Sequence, residues 1–146
     1  MNNRAITIVD YGMGNIRSIT STLKYLGIEE VVISSNFEEL KSADKLILPG
    51  VGSFGRAMTQ INEKKLDISL QQLVLKEKKP ILGICLGMQL MGMSSTENGL
   101  NDGLKFIEGE VKIFDKENLK IPHVGCLLFA EVRCHLSPYG SKICLN

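Results

Sequence analysis

The sequence predicts an α/β domain, a doubly wound and mostly parallel β-sheet with helices on both faces. Three observations carry that reading. Short β-branched or aliphatic runs alternate with segments whose apolar residues recur at helical spacing, the pattern of successive βαβ units. Three glycine-rich turns, YGMGN, PGVGSFG and GICLG, each follow one of the strand-like runs, so they gather at one edge of such a sheet. The length of 146 residues suits one domain with a sizeable core.

Each element follows in order. AITIVD (5–10) is a β-branched first strand that ends at Asp10 and runs into the YGMGN turn. From Asn15 the period changes: Ile16, Ile19, Leu23 and Leu26 share one face of a helix that Gly27 ends. EEVVISS (29–35) is a second strand, FEEL (37–40) a short helical turn, and KLILP (45–49) a third strand stopped by Pro49. A helical stretch runs from about Gly55, breaks near Asp67 and resumes to about Lys78. PILGI (80–84) is a fourth, buried strand, and CLGMQLMGMSS (85–95) returns to helical spacing through Leu86, Leu90 and Met93. GLKFIEGEVKIFD and IPHVGCLLFAEVRCHL read as strands joined by turns. The expected architecture is flavodoxin-like, with ligands bound beyond the carboxyl ends of the strands.

Composition narrows the classes of function. A formal net charge of +1, with 44% apolar and 23% charged residues, gives no bulk electrostatic case for a nucleic-acid or membrane partner. MNNRAITIVDYG enters a strand-like run without the apolar region and cleavage site of a signal peptide, and no apolar run approaches the roughly 18 residues of a membrane span. The four cysteines, Cys85, Cys126, Cys134 and Cys144, form no C-x-x-C pair. A cytoplasmic chain with reduced thiols is expected, without a metal site or an organic cofactor.

The chemistry centres on Cys85. It lies between a buried strand and a helix in G-x-C-x-G, the thiol counterpart of the G-x-S-x-G elbow. A sharp strand-to-helix turn lifts the side chain out of the sheet only if its neighbours are small, which Gly83 and Gly87 are. The start of the helix offers unpaired N–H groups that favour a thiolate, and the Leu86 amide is placed to donate to an oxyanion. The competing reading is a small apolar core residue, because free cysteine is among the most buried residue types.

The wider context makes the resemblance specific. GICLGMQLM resembles the nucleophile elbow of the class I, triad-type glutamine amidotransferases. With IVDYGMGNIRS, LPGVGSFGRAM (48–58) and KIPHVG (120–125), it is similar in order and spacing to the glutaminase subunits of imidazole glycerol phosphate synthases, over residues 4–125. The resemblance implies the class I glutamine amidotransferase fold and hydrolysis of glutamine through a cysteinyl thioester. It also implies that ammonia passes to a (β/α)8-barrel cyclase subunit in histidine biosynthesis. Cys85 is then the nucleophile; Gln89 and Glu97 hold the substrate glutamine. Gly50 and Gly52 belong to the strand whose peptide orientation governs the oxyanion hole, where Gly52 supplies the freedom of φ that a rotating peptide needs. Asn15 and His123 lie in loops that face the synthase partner. Plainer alternatives stand beside these roles: Gln89 as a solvated helix residue, Glu97 as a turn acid, His123 as a structural histidine. Gly12 and Gly14 read as a tight turn rather than a phosphate cradle, and Arg17 and Arg56 as solvated.

The family's remaining catalytic parts do not follow. The His-Pro-Glu block that supplies a general base and its orienting carboxylate is missing, and Cys126 stands where the family has Trp. His135, with Glu131 four residues earlier, is not expected to substitute, since its context resembles nothing in the family. The expectation is a truncated member, with an incomplete amidotransferase domain over 1–125 and a divergent tail over 126–146. Its C-terminal part, the last strands and the completing helix, is expected to be missing. Alternative functions are a non-catalytic remnant or binding subunit, a paralogue supplying ammonia for sugar amidation, and a nucleotide-binding module built on YGMGN.

Overall fold

The computed structural model describes residues 5–112 and 130–132. The strand-like runs form a five-stranded sheet. Its strands are β1 (Ile6–Val9), β2 (Val31–Ser34), β3 (Lys45–Leu48), β4 (Ile81–Gly83) and, by its backbone, β8 (Ala130–Val132). Their order is β2-β1-β3-β4-β8, parallel throughout except for β8, which runs antiparallel to β4 with Val132 opposite Ile81. Ile8 pairs with both Ile33 and Ile47, and Ile47 with Leu82. The chain reverses its direction of winding between β1 and β3. Loops beyond the carboxyl ends of neighbouring strands then frame a crevice at that switch point. The doubly wound, mostly parallel fold expected from the sequence is therefore the fold observed.

Alternation along each strand divides the core into two layers. Val9, Leu46, Leu48 and Ile81 face one side. There they pack with Leu40 of α2 (Phe37–Ser42), Phe54, Ala57 and Ile61 of α3 (Phe54–Glu63), and Leu66 and Leu70 of α4 (Leu66–Leu70). Ile8 and Ile47 face the other side and meet Leu23 of α1 (Ile16–Tyr25), with Ile16 and Ile19 packed against them. Each fully buried Leu or Ile contributes on the order of 1.5–3 kcal/mol by leaving water.

Local chemistry sets the helix ends. Asn15 caps α1, its Oδ1 accepting from the Ser18 N–H at 3.3 Å. Asn36 caps α2 by accepting from Glu38 and Glu39. Leu26 does not join the apolar face expected of it and is 65% exposed. The helix ends at Tyr25, and Leu26 is its C-cap, donating back to Thr22 and Leu23 ahead of a left-handed Gly27. The break after α3 falls at Lys64 and Lys65, the latter at φ 56°, rather than near Asp67, which sits in the first turn of α4. α4 continues into a π-helical stretch over Gln71–Lys76.

The helix expected to run from Cys85 to Ser95 is much shorter: α5 spans Leu86–Leu90. Its terminal carbonyls are satisfied from far along the chain. Leu104 donates to Leu90, Phe106 and Ile107 to Met91, and Lys105 to Gly92. GLKFIEG is thus a capping segment and not a strand. Ser94–Ser95 (β5) instead joins Asn101–Asp102 (β6) and Glu110–Val111 (β7) in a small second sheet ordered β6-β5-β7.

Candidate active site

Cys85 sits at the carboxyl end of β4 with φ 56° and ψ −121°, a backbone conformation outside both the strand and helix regions. Holding a side-chain-bearing residue there costs on the order of 1–3 kcal/mol, so the surroundings must over-determine it. They do. Ile84 donates to the Leu48 carbonyl at 3.0 Å, Gly87 to the Ile84 carbonyl at 2.9 Å, and Met88 to the Cys85 carbonyl at 3.0 Å. An added Cβ at Gly87 would lie 1.9 Å from the Leu48 oxygen, and one at Gly83 would lie 2.6 Å from the Met88 α-carbon. No side chain fits at either position, which leaves the elbow no other way to close. Cys85 itself is a free thiol and half-buried, not sealed in the core.

The loop after β3 lies directly against this elbow. A Cβ on Gly50 would fall 2.4 Å from the Gly87 nitrogen and 2.8 Å from the Leu86 carbonyl carbon, so the two backbones are in contact. Gly52 has φ +95°, a conformation natural to glycine alone. The Leu86 N–H, in the residue that follows Cys85, has no hydrogen-bond partner among the described residues and is left as a donor at the elbow. Gln89 lies one turn along α5, half-buried, with its own N–H donating to the Cys85 carbonyl at 3.4 Å.

Glu97 belongs to the turn between β5 and β6. Its Oε2 accepts from the Phe54 N–H at 3.3 Å, and so serves the start of α3, where Ser53 makes no side-chain cap. Asn101 steadies that turn through Nδ2, which donates to the carbonyls of Glu97 and Gly99. The structure therefore brings Cys85, Leu86, Gly50, Gly52, Gln89 and Glu97 to one edge of the sheet. Asn15 is exposed at the head of α1, occupied on its oxygen by the cap. His123 lies outside the described residues, as does His135. Glu131 belongs by its backbone to the strand β8 and not to the helical turn considered from sequence.

One residue that sequence reasoning passed over also belongs here. Tyr11, in the turn after β1, is fully buried and its hydroxyl donates to the Pro49 carbonyl at 2.8 Å. Burial, and secondarily the charge of nearby Cys85, push its phenol well above the ordinary tyrosine value. Among the described residues there is no cluster of three or more metal-ligating side chains, and no helix is long and apolar enough to cross a membrane.

Comparison with known families decides the identity of this arrangement. Residues 7–136 match the model of the family "Glutamine amidotransferase class-I". The chain belongs to the class I glutamine amidotransferases.

Relatives within that family are close. The chain is 48% identical over 121 residues to "Imidazole glycerol phosphate synthase subunit HisH 1" of Campylobacter jejuni, covering 82% of this chain and 60% of that one. It is 46% identical over 121 residues to subunit HisH 2 of Vibrio vulnificus, covering 82% and 56% respectively. It is 44% identical over 118 residues to subunit HisH of Aquifex aeolicus, covering 81% and 56%. The chain thus spans between half and two thirds of the length of these curated relatives. A solved structure titled "Crystal structure of glutamine amidotransferase" superposes with a TM-score of 0.62 at 23% identity, over 73% of this chain and 55% of the other, and supports the fold.

Proposed function

We propose that this chain carries the glutaminase half-site of an imidazole glycerol phosphate synthase, taking an acyl group from glutamine onto Cys85 and delivering ammonia to a (β/α)8-barrel cyclase partner in histidine biosynthesis. The strained conformation of Cys85, half-exposed between glycines that admit no side chain, carries this reading. A core cysteine needs no such backbone; a nucleophile raised from a sheet does. The names of the relatives favour the histidine pathway over sugar amidation.

In this reading the Cys85 thiolate attacks the side-chain carbonyl carbon of glutamine. The oxyanion that forms accepts from the Leu86 N–H, beside the Gly50–Gly52 segment. The C–N bond then breaks and the nitrogen takes a proton from solvent to leave as ammonia. Water hydrolyses the thioester to release glutamate and restore the thiol. Gln89 helps hold the substrate glutamine, Glu97 binds its amino-acid end, and Asn15 and His123 are assigned to the partner interface. The glutaminase portion is assigned to 1–125, and the site is assigned to the cytoplasm, where the thiol stays reduced.

One observation favours a second reading, an acylating subunit that does not turn over: Cys126 stands where the family has Trp, so the departure falls inside the family's own blocks. A comparable unit without its base, in subtilisin, loses on the order of 10⁶ in turnover. Ammonia release measured on the folded chain with and without the cyclase separates the two readings. Turnover abolished by Cys85→Ser supports the first. A Cys85 adduct with a glutamine-analogue electrophile, without turnover, supports the second.

A further inference from the structure

We propose that Tyr11 is a positioning residue for the oxyanion loop, fixing the upstream end of the Gly50–Gly52 segment through the Pro49 carbonyl. The inference rests on the reading of Cys85 as an acyl acceptor and extends it to a residue outside the sulfur's own loop. Tyr11 is fully buried, and its hydroxyl is the one hydrogen-bond partner of the Pro49 oxygen among the described residues. The same turn grips Pro49 from a second side: a Cβ on Gly14 would lie 2.8 Å from the Pro49 Cβ. The turn is itself held down, because Gly12 N–H donates to Asp10 Oδ1 and Lys64 Nζ donates to the Asp10 carbonyl.

The consequence is a loop clamped at both ends. Pro49 is held by Tyr11, and Phe54 is held by the Glu97 carboxylate. Between them Gly50 is wedged against the Leu86–Gly87 peptide, while Val51 and Gly52 are open to solvent. Rotation of a peptide in this loop is therefore confined to the stretch beside the Leu86 N–H, where an oxyanion would sit. The raised titration of the phenol keeps Tyr11 protonated, so the donor to Pro49 persists at any working pH.

The test is labelling of Cys85 in the full chain by two reagents, iodoacetamide and a chloroketone analogue of glutamine, in the wild type and in Tyr11→Phe. The iodoacetamide rate is expected to stay the same, because the sulfur and its elbow are untouched. The saturable chloroketone reaction is expected to lose roughly tenfold in maximal rate with its half-saturation unchanged, less than the 10²–10³ typical of deleting an oxyanion donor itself. Equal maximal rates in the two proteins overturn the role of Tyr11 alone. A wild type that reacts with iodoacetamide but not saturably with the chloroketone overturns the acyl-acceptor reading, and this proposal with it. Should Tyr11→Phe not fold, difluorotyrosine placed at position 11 keeps the ring and makes the phenol more acidic. The maximal rate is then expected to fall with rising pH as that phenol ionises; a pH profile identical to wild type contradicts the proposal.

Discussion

Gly87 approaches Leu48 so closely that a Cβ on the glycine would lie 1.9 Å from the leucine's carbonyl oxygen. The same oxygen accepts from Ile84, so it has no room to retreat without breaking the junction of β3 and β4. Gly87→Ala is expected to destabilise the protein by about 3 kcal/mol or more. Gly27, which has φ +80° and nothing within 4 Å of an added Cβ, provides the control. There alanine meets only backbone strain, about 1 kcal/mol. Urea unfolding midpoints of the two variants check the contrast.

The strain at Cys85 predicts a trade between stability and chemistry. At φ 56° and ψ −121° glycine is at ease and cysteine is not. Cys85→Gly is expected to raise stability by about 1 kcal/mol while removing all thiol chemistry at the elbow. Paired denaturant melts read the first effect, and a drop in stability would count against a strained nucleophile.

The observed contact of Glu97 and the substrate role proposed for it separate by substitution. As the carboxylate serving the start of α3 it needs only an acceptor oxygen, which glutamine retains. In the proposed role, as a partner for the substrate's ammonium group, it needs charge. Glu97→Ala is expected to cost about 1 kcal/mol of stability, within the range of a lost N-cap. Glu97→Gln is expected to keep stability yet raise the half-saturation for a glutamine analogue about tenfold or more. Thermal melts and saturation of Cys85 labelling measure the two effects independently.

Tyr11 sets an alkaline limit. Burial first, and the Cys85 charge second, raise its phenol above the ordinary value near 10, whereas the unfolded chain titrates at that value. The native state therefore holds the proton longer than the unfolded one. The associated stability is fully present below about pH 10 and is lost as pH rises toward the folded value. Tyr11→Phe removes this loss. It is expected to be less stable than wild type by about 1–3 kcal/mol at neutral pH, from the unpaired Pro49 carbonyl, with the gap narrowing above pH 10. Urea melts from pH 7 to 11 follow it.

Much of the fold and the elbow was legible because the governing interactions are local. Alternation of Ile8 and Val9, or of Ile47 and Leu48, between two faces is written in neighbouring residues. The glycines flanking Cys85 announce a turn that tolerates no side chain, whatever surrounds it. What stayed hidden is long-range. The hydroxyl of Tyr11 reaches Pro49 across 38 positions and Glu97 reaches Phe54 across 43. Periodicity carries no record of either. The overlong helix at 85–95 has the same cause, since its carbonyls are claimed by residues 104–107, a competition absent from the helical pattern itself. Leu26 shows a smaller effect, where an apolar residue at the right spacing falls just past the cap.

Whether Cys85 accepts an acyl group from glutamine is decided by mass spectrometry of the folded chain after reaction with a glutamine-analogue electrophile. The expected result is one adduct, on Cys85, that forms with saturation and is suppressed by free glutamine. No adduct on that sulfur, or one that forms without saturation and ignores glutamine, would contradict it.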